Sequence, residues 1–193
     1  MESDRFLVAG LGNPGRNYRR NRHNAGFLLV DRLAASLELQ FTRHRFEAVL
    51  TDGALDGKRL ILAKPQTYMN RVGRSVAAMV RFHRLPLDHV LVVYDDLDLP
   101  VGSLRLRGSG GSAGHKGLTS VIESLGTQDV PRLRLGISRP PGSMDPADYV
   151  LQDFDDFEWG ILEAGLDRGF DCVRTWILEG LPAAMTHFNP FPE

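Results

Sequence analysis

The sequence predicts an α/β fold: one twisted, mixed β-sheet flanked by helices on both faces. Three observations carry that prediction. Short apolar runs end in glycine or in acidic residues at 6–11, 90–93 and 133–137, as buried strands do. Between them, apolar residues recur at spacings of three and four, as on the inner face of a helix. An early hairpin pattern and an alternating Leu-Arg segment at 103–107 add antiparallel pairing to an otherwise alternating strand–helix order.

The first strand covers 6–11. A helix over 24–38 follows, with Phe27, Val30, Ala34 and Leu37 on one face. Strands at 46–51 and 59–63 are expected to pair across a polar turn over 52–58. Val72, Val76, Met79, Val80 and His83 mark a second helical face, which must stop before Pro86. The valine-rich run at 90–93 stops at Tyr94-Asp95-Asp96. The Leu-Arg segment at 103–107 reads as an exposed strand. A glycine-rich loop at 108–114 then enters a helix carrying Leu118, Val121, Ile122 and Leu125 and closed by Gly126. A strand at 133–137 precedes the last long helix. That helix starts at Asp155, with Glu158 three residues later as its capping-box partner. Its apolar stripe runs from Trp159 through Leu166 to Ile177. No repeat or linker is evident, so 1–193 reads as one domain.

With 193 residues, 42% of them apolar, the chain can bury a substantial core. A net charge of −1 does not advertise a nucleic-acid binder. The total conceals an asymmetry, however. Arg16, Arg19, Arg20 and Arg22, then Arg105, Arg107, Lys116, Arg132, Arg134 and Arg139, lie in or near the glycine-rich segments. Carboxylates crowd 145–163 instead. A dipolar molecule with one basic face is expected. The single Cys172 excludes an internal disulfide framework and any Cys-rich zinc site, and its apolar context makes it a core residue. No apolar run reaches membrane-spanning length. Met1 to Arg5 lacks the pattern of a signal peptide, so a cytoplasmic setting is expected.

Polar residues follow three of the predicted strands: Asn13, the segment 67–70, and Asp95. Ligand crevices in open α/β sheets form outside the carboxyl ends of strands, so these segments have a mechanical reason to converge. His23 would join them from the start of its helix. A carboxylate bonded to one ring nitrogen of an imidazole fixes its tautomer and leaves the other nitrogen to take a proton. No serine or cysteine nucleophile is marked out, so water is the expected attacker. Asn13 also reads as turn chemistry and Asn70 as a helix cap. The loop at 108–114 is not a Walker A loop; a substrate gate, a phosphate cradle and a plain connection all fit it. By its residues alone His115 reads as structural, for want of a carboxylate partner. Metal-ligand spacings are absent, and strand alternation would split Asp95, Asp96 and Asp98 between faces.

Taken together, Gly10-Leu-Gly-Asn-Pro-Gly15 with Tyr18, Arg22-His-Asn-Ala-Gly26, Lys64-Pro-Gln-Thr-Tyr-Met-Asn70, Asp95-Asp-Leu-Asp-Leu-Pro100 and Arg132-Leu-Arg-Leu-Gly136 resemble bacterial peptidyl-tRNA hydrolases over nearly the whole chain. The resemblance implies a monomeric, cofactor-free and metal-independent α/β enzyme. It would cleave the ester between a peptide and the 3′ ribose of tRNA and so recycle tRNA from stalled translation. It makes His23 the base, Asp95 its partner, and Asn13 and Asn70 the amides that hold substrate and water. Tyr18 would lie at the tRNA 3′ end and Met69 on the peptide side. Tyr68, Asn24, His115 and Lys116 join them as substrate contacts. Arg105, Arg107 and Arg134 would meet the tRNA backbone. One position departs from the pattern. The family's loop usually continues Gly-His-Asn-Gly, whereas this chain has Gly114-His-Lys-Gly117. Lysine offers three donors and no acceptor, so it cannot copy an amide. That departure keeps a second reading open: an RNA-binding relative that retains the fold without turnover.

Overall fold

In a computed structural model, which describes residues 5–190, seven strands form one sheet in the order β2-β3-β4-β1-β5-β7-β6. The strands are β1 (Arg5–Gly10), β2 (Arg43–Arg45), β3 (Ala48–Leu55), β4 (Lys58–Pro65), β5 (Val90–Asp96), β6 (Leu104–Arg107) and β7 (Arg132–Gly136). The four central strands run parallel, and β2, β3 and β6 add antiparallel pairs at the edges. The mixed sheet follows the sequence reading. The chain's first residues, read above for targeting, lie outside the described ones.

The helices are α1 (Ala25–Ser36), α2 (Val72–His83), α3 (Lys116–Leu125), α4 (Pro146–Tyr149), α5 (Asp156–Glu179) and α6 (Leu181–Phe188). Two cores result, one on each face of the sheet. One joins α1, α5 and α6 to the sheet through Leu29, Leu33, Leu162, Val173 and Trp176. The other joins α2 and α3 through Val72, Val76, Met79, Leu118 and Val121. β1 contributes to both: Val8 faces the first core, while Leu7 and Ala9 face the second. Each fully buried leucine or valine contributes about 2 kcal/mol by leaving water. Cys172 is buried in the first core, as expected, and burial pushes its thiol well above the usual range. No helix among the described residues is long and apolar enough to cross a membrane.

Three details differ from the sequence reading. The hairpin turn is confined to Asp56-Gly57, whose φ values of 48° and 82° suit a two-residue turn, so 52–55 belongs to β3. The 103–107 strand is only half exposed: Leu104 and Leu106 are buried while Arg107 faces solvent. β2, α4 and α6 were not anticipated, because three charged residues, a four-residue helix and a short tail carry little periodicity.

The topology sets the site. From β1 the chain moves toward β4 through α1 on one face, then returns through α2 on the other face to β5. The switch lies between β1 and β5, where a crevice opens at the carboxyl ends. Gly26, the second residue of α1, lets this helix press against that junction: a Cβ there would stand 2.3 Å from the Val93 carbonyl oxygen.

Candidate active site

A cleft of about 1120 Å³ opens at this switch point. β1 ends in the turn that carries Asn13, β5 ends in Asp95 and Asp96, and β4 leads into the segment 66–70. Asn13, His23, Tyr68, Met69, Asn70, Asp95, His115, Lys116, Arg107 and Arg134 all line the cleft. Three segments named from sequence therefore converge.

At its centre, His23 Nδ1 lies 2.8 Å from Asp95 Oδ1. His115 Nε2 lies 2.9 Å from the same oxygen. The second contact corrects the reading of His115, which has a carboxylate partner after all. Its other nitrogen accepts the Leu118 backbone N–H at 3.2 Å, capping α3. That bond leaves the proton on Nε2, which must donate to Asp95. The His23 Nδ1–H donates likewise, so Nε2 of His23 keeps its lone pair. Asp95 is buried; burial alone would disfavour its charge, but the His115 and His23 rings outweigh this and hold its carboxyl well below the usual carboxylate range. Burial pushes the neighbouring Tyr94 up to about 12, against the opposing pull of Arg134 and Arg132.

The ligand atoms of His23, Asp95 and His115 lie within 4.8 Å of one another, a spacing that admits a metal ion. Both imidazoles are, however, engaged on one carboxylate oxygen. A cation would have to replace both hydrogen bonds.

The backbone carrying His23 is fastened from two sides. Asn24 accepts the Asn13 N–H at 2.8 Å and donates to the Asn13 carbonyl at 3.0 Å, locking the first turn to the helix start. On the other side, the His23 N–H donates to Val150 O at 2.8 Å and the Arg22 N–H to Gln152 O at 3.0 Å. Arg22 does not belong to a basic face. Its side chain is 8% exposed, forks onto Glu158 at 2.9 and 2.8 Å, and lies 4.3 Å from the Tyr149 ring. Arg132 is buried too, donating to the Gly110, Gln128 and Val130 carbonyls. It fastens the glycine-rich loop, which is therefore anchored at Gly110 rather than a bare connection.

Met69 is buried, and a Cβ on Gly117 would stand 2.4 Å from its sulfur, so it walls the cleft beside α3. Tyr68 is 70% exposed at the mouth. Asn70 is exposed and caps no helix: α2 has Arg71 at its cap position, without a side-chain bond. Lys116 is exposed at the first position of α3, and Arg107 is exposed on β6. Among the described residues neither has an ion-pair or hydrogen-bond partner. Arg134 is bonded to Asp96 and Arg139 to Asp98, so both carboxylates are engaged by arginines and not by the histidines. Tyr18 lies half-buried in a 3-10 turn, Arg16–Tyr18, and neither it, Asn24 nor Arg105 lines the cleft. Sequence reasoning counted Arg139 only with the basic face and missed Ala147, Val150 and Leu151 on the far wall, whose approach depends on α4.

Fold and site together define an α/β enzyme with a histidine–carboxylate pair at a sheet switch point. The family profile of peptidyl-tRNA hydrolase matches residues 7–193, and the chain belongs to that family. It is 46% identical to a peptidyl-tRNA hydrolase of Carboxydothermus hydrogenoformans, over 95% of this chain and 98% of that one. It is 50% identical to one from a Synechococcus strain, over 95% and 83% respectively. The crystal structure of peptidyl-tRNA hydrolase from Acinetobacter baumannii superposes with a TM-score of 0.91 at 31% identity, covering 99% of this chain and 97% of that one.

Proposed function

We propose that this protein hydrolyses the ester joining a peptide to the 3′ ribose of tRNA, with His23 as general base. The observation that carries the reading is the 2.8 Å contact from His23 Nδ1 to Asp95 Oδ1 at the head of the cleft. His23 Nε2 takes a proton from water as the water oxygen attacks the ester carbonyl. The tetrahedral intermediate then expels the ribose oxygen, which takes the proton back from the imidazolium. The products are a peptide carboxylic acid and a tRNA with a free hydroxyl. Asp95 stays ionised and stabilises the imidazolium. Asn13 and Asn70, which both line the cleft, can donate to the carbonyl oxygen and accept from water. Met69, Tyr68 and the wall from α4 give the peptide an apolar flank. Lys116, Arg107 and Arg134 give the terminal phosphates cations. Lys116 lines the cleft beside a complete His23–Asp95 pair, which supports the hydrolase reading over RNA binding without turnover.

The test is single-turnover cleavage of a labelled dipeptidyl-tRNA. The unaltered protein is expected to release peptide, with or without a chelator. His23→Ala is expected to lower the rate about 10²–10⁴-fold and to leave tRNA affinity intact. Near-normal turnover by the variant would remove His23 from the reaction.

A further inference from the structure

We propose that the outer face of α2, ending at Arg45, is a second contact surface for the RNA backbone of the substrate. This rests on the reading of the cleft as the site for the peptidyl end of tRNA.

α2 buries Val72, Val76, Met79 and Val80 against the sheet. Its outward side carries Arg74 and Arg81, with Arg71 immediately before it, and the helix contains no acidic residue. Among the described residues these three exposed arginines have no carboxylate partner and no hydrogen bond from the side chain. Elsewhere among the described residues some exposed arginines are paired, Arg20 with Asp156 and Arg174 with Asp56, while others, such as Arg84 and Arg107, are not. A row of solvated arginines is the plain alternative, and two further observations speak against it. A groove of about 370 Å³ runs beside Arg74 and Arg81, floored by the small residues Ala77 and Ala78. Glu47 lines this groove and subtracts one charge from it, but pairs with neither arginine. At the far end, the Arg45 guanidinium lies 3.9 Å from the Phe82 ring centre and 4.6 Å from that of Phe46. The two rings, whose centres are 5.2 Å apart, hold a cation against them on an exposed strand, and the Phe82 ring is 52% exposed. Fixed guanidinium and open aromatic face together suit a phosphodiester chain and its bases.

Continuity with the cleft decides the occupant. Asn70 lines the cleft and Arg71 is the next residue. The twelve-residue helix is about 18 Å long. At roughly one charge per 3.4 Å of strand, that length spans about five phosphates. An RNA whose 3′ end enters the cleft could run along it without leaving the protein.

The experiment compares the intact chain with the double variant Arg74→Gln/Arg81→Gln, two exposed positions on a helix that glutamine tolerates. Deacylated tRNA affinity is measured across a salt series. KM and kcat are measured on peptidyl-tRNA and on a peptidyl ester of a trinucleotide that lacks the tRNA body. The variant is expected to lose about tenfold in tRNA affinity at physiological salt, with a salt slope shallower by about 1.5–2. KM for peptidyl-tRNA should rise to match. Its kcat and both constants for the trinucleotide ester should stay unchanged. Unaltered affinity and slope overturn the proposal, as does an equal effect on the trinucleotide ester. Loss of binding to a polyglutamate peptide with tRNA affinity intact also overturns it, and assigns the face to an acidic protein. If the intact chain binds tRNA yet cleaves no peptidyl-tRNA, the hydrolase reading fails, while affinity and slope still judge α2.

Discussion

Asp95 Oδ1 accepts from two imidazoles, and only one of those rings has a nitrogen to spare. His115 spends both nitrogens, one on Asp95 and one on the Leu118 N–H, so its task is to hold the carboxylate and the start of α3 together. His115→Asn separates those tasks. Asparagine is a good helix cap but is too short to copy the ring's reach to Asp95. Stability in urea is expected to stay near that of the parent, while kcat falls about tenfold, as for loss of one charge-assisted hydrogen bond. An equal loss for a plain helix-capping defect would show up as stability, not rate. Asp95 itself makes a prediction about acid. Its folded carboxyl titrates below its unfolded value near 3.9. The stabilisation from its ionised form is therefore complete above about pH 4 and drains away as pH falls through the folded value. Asp95→Asn should flatten the stability curve below pH 4, read by urea unfolding at stepped pH. Asp95 was legible in the sequence because it is a polar residue at a strand end, and His23 because it stands at the start of an apolar helix. The role of His115 was not, since its partner lies twenty residues away and histidine is no usual cap.

The segment from Arg20 to Asn24, an isolated bridge at Asn21 leading into a 3-10 turn over Arg22–Asn24, is held by 150–154 through the Asn21–Asp153 bridge and three backbone hydrogen bonds. Glu158 is the clasp. Its carboxylate accepts the Asp155 N–H at 3.0 Å, completing the capping box of α5, and also takes both arms of Arg22. Removing it would strand a guanidinium whose Nε already lacks a partner among the described residues. Glu158→Ala is accordingly expected to cost about 3 kcal/mol in urea unfolding, in the range for breaking a buried pair. It should also slow turnover, because the His23 N–H is anchored to Val150 on the same seam. A loss under 1 kcal/mol would mean that water replaces the clasp. The capping box was legible, since its spacing is local. Arg22 was not: in sequence it is one of several arginines after a glycine turn, and nothing in spacing tells a buried guanidinium from a solvated one. The same blindness applied to Arg132. Strand positions and helix faces were legible because period and run length encode them; the order of strands was not, and β2 and α6 were too short to carry a period.

At the scale of the whole molecule, a net charge of −1 hides a division between the two faces of the sheet. α5, on the face with α1 and α6, carries six carboxylates against Arg168 and Arg174. α2, on the opposite face, carries arginines and no carboxylate. Between them the cleft presents Arg107 and Lys116 without acidic partners among the described residues. A polyanion approaching such a molecule is drawn by the local field rather than by the total, and it is turned so that its charge meets the cleft side. The arginines expected from sequence to form one basic face thus divide into buried clamps, such as Arg22 and Arg132, and open cations. Only the open ones exchange counterions with a nucleic acid. If four of them meet phosphates, tRNA affinity should fall on the order of 10²-fold between 50 and 200 mM salt. kcat/KM on peptidyl-tRNA should fall with it, and kcat should not. Hydrolysis of an uncharged peptidyl ester, with no phosphate to meet, should be flat over the same range. A parallel fall in that ester's rate would place the salt effect on the Asp95–histidine pair, and would refute attraction as the reason for the divided charge.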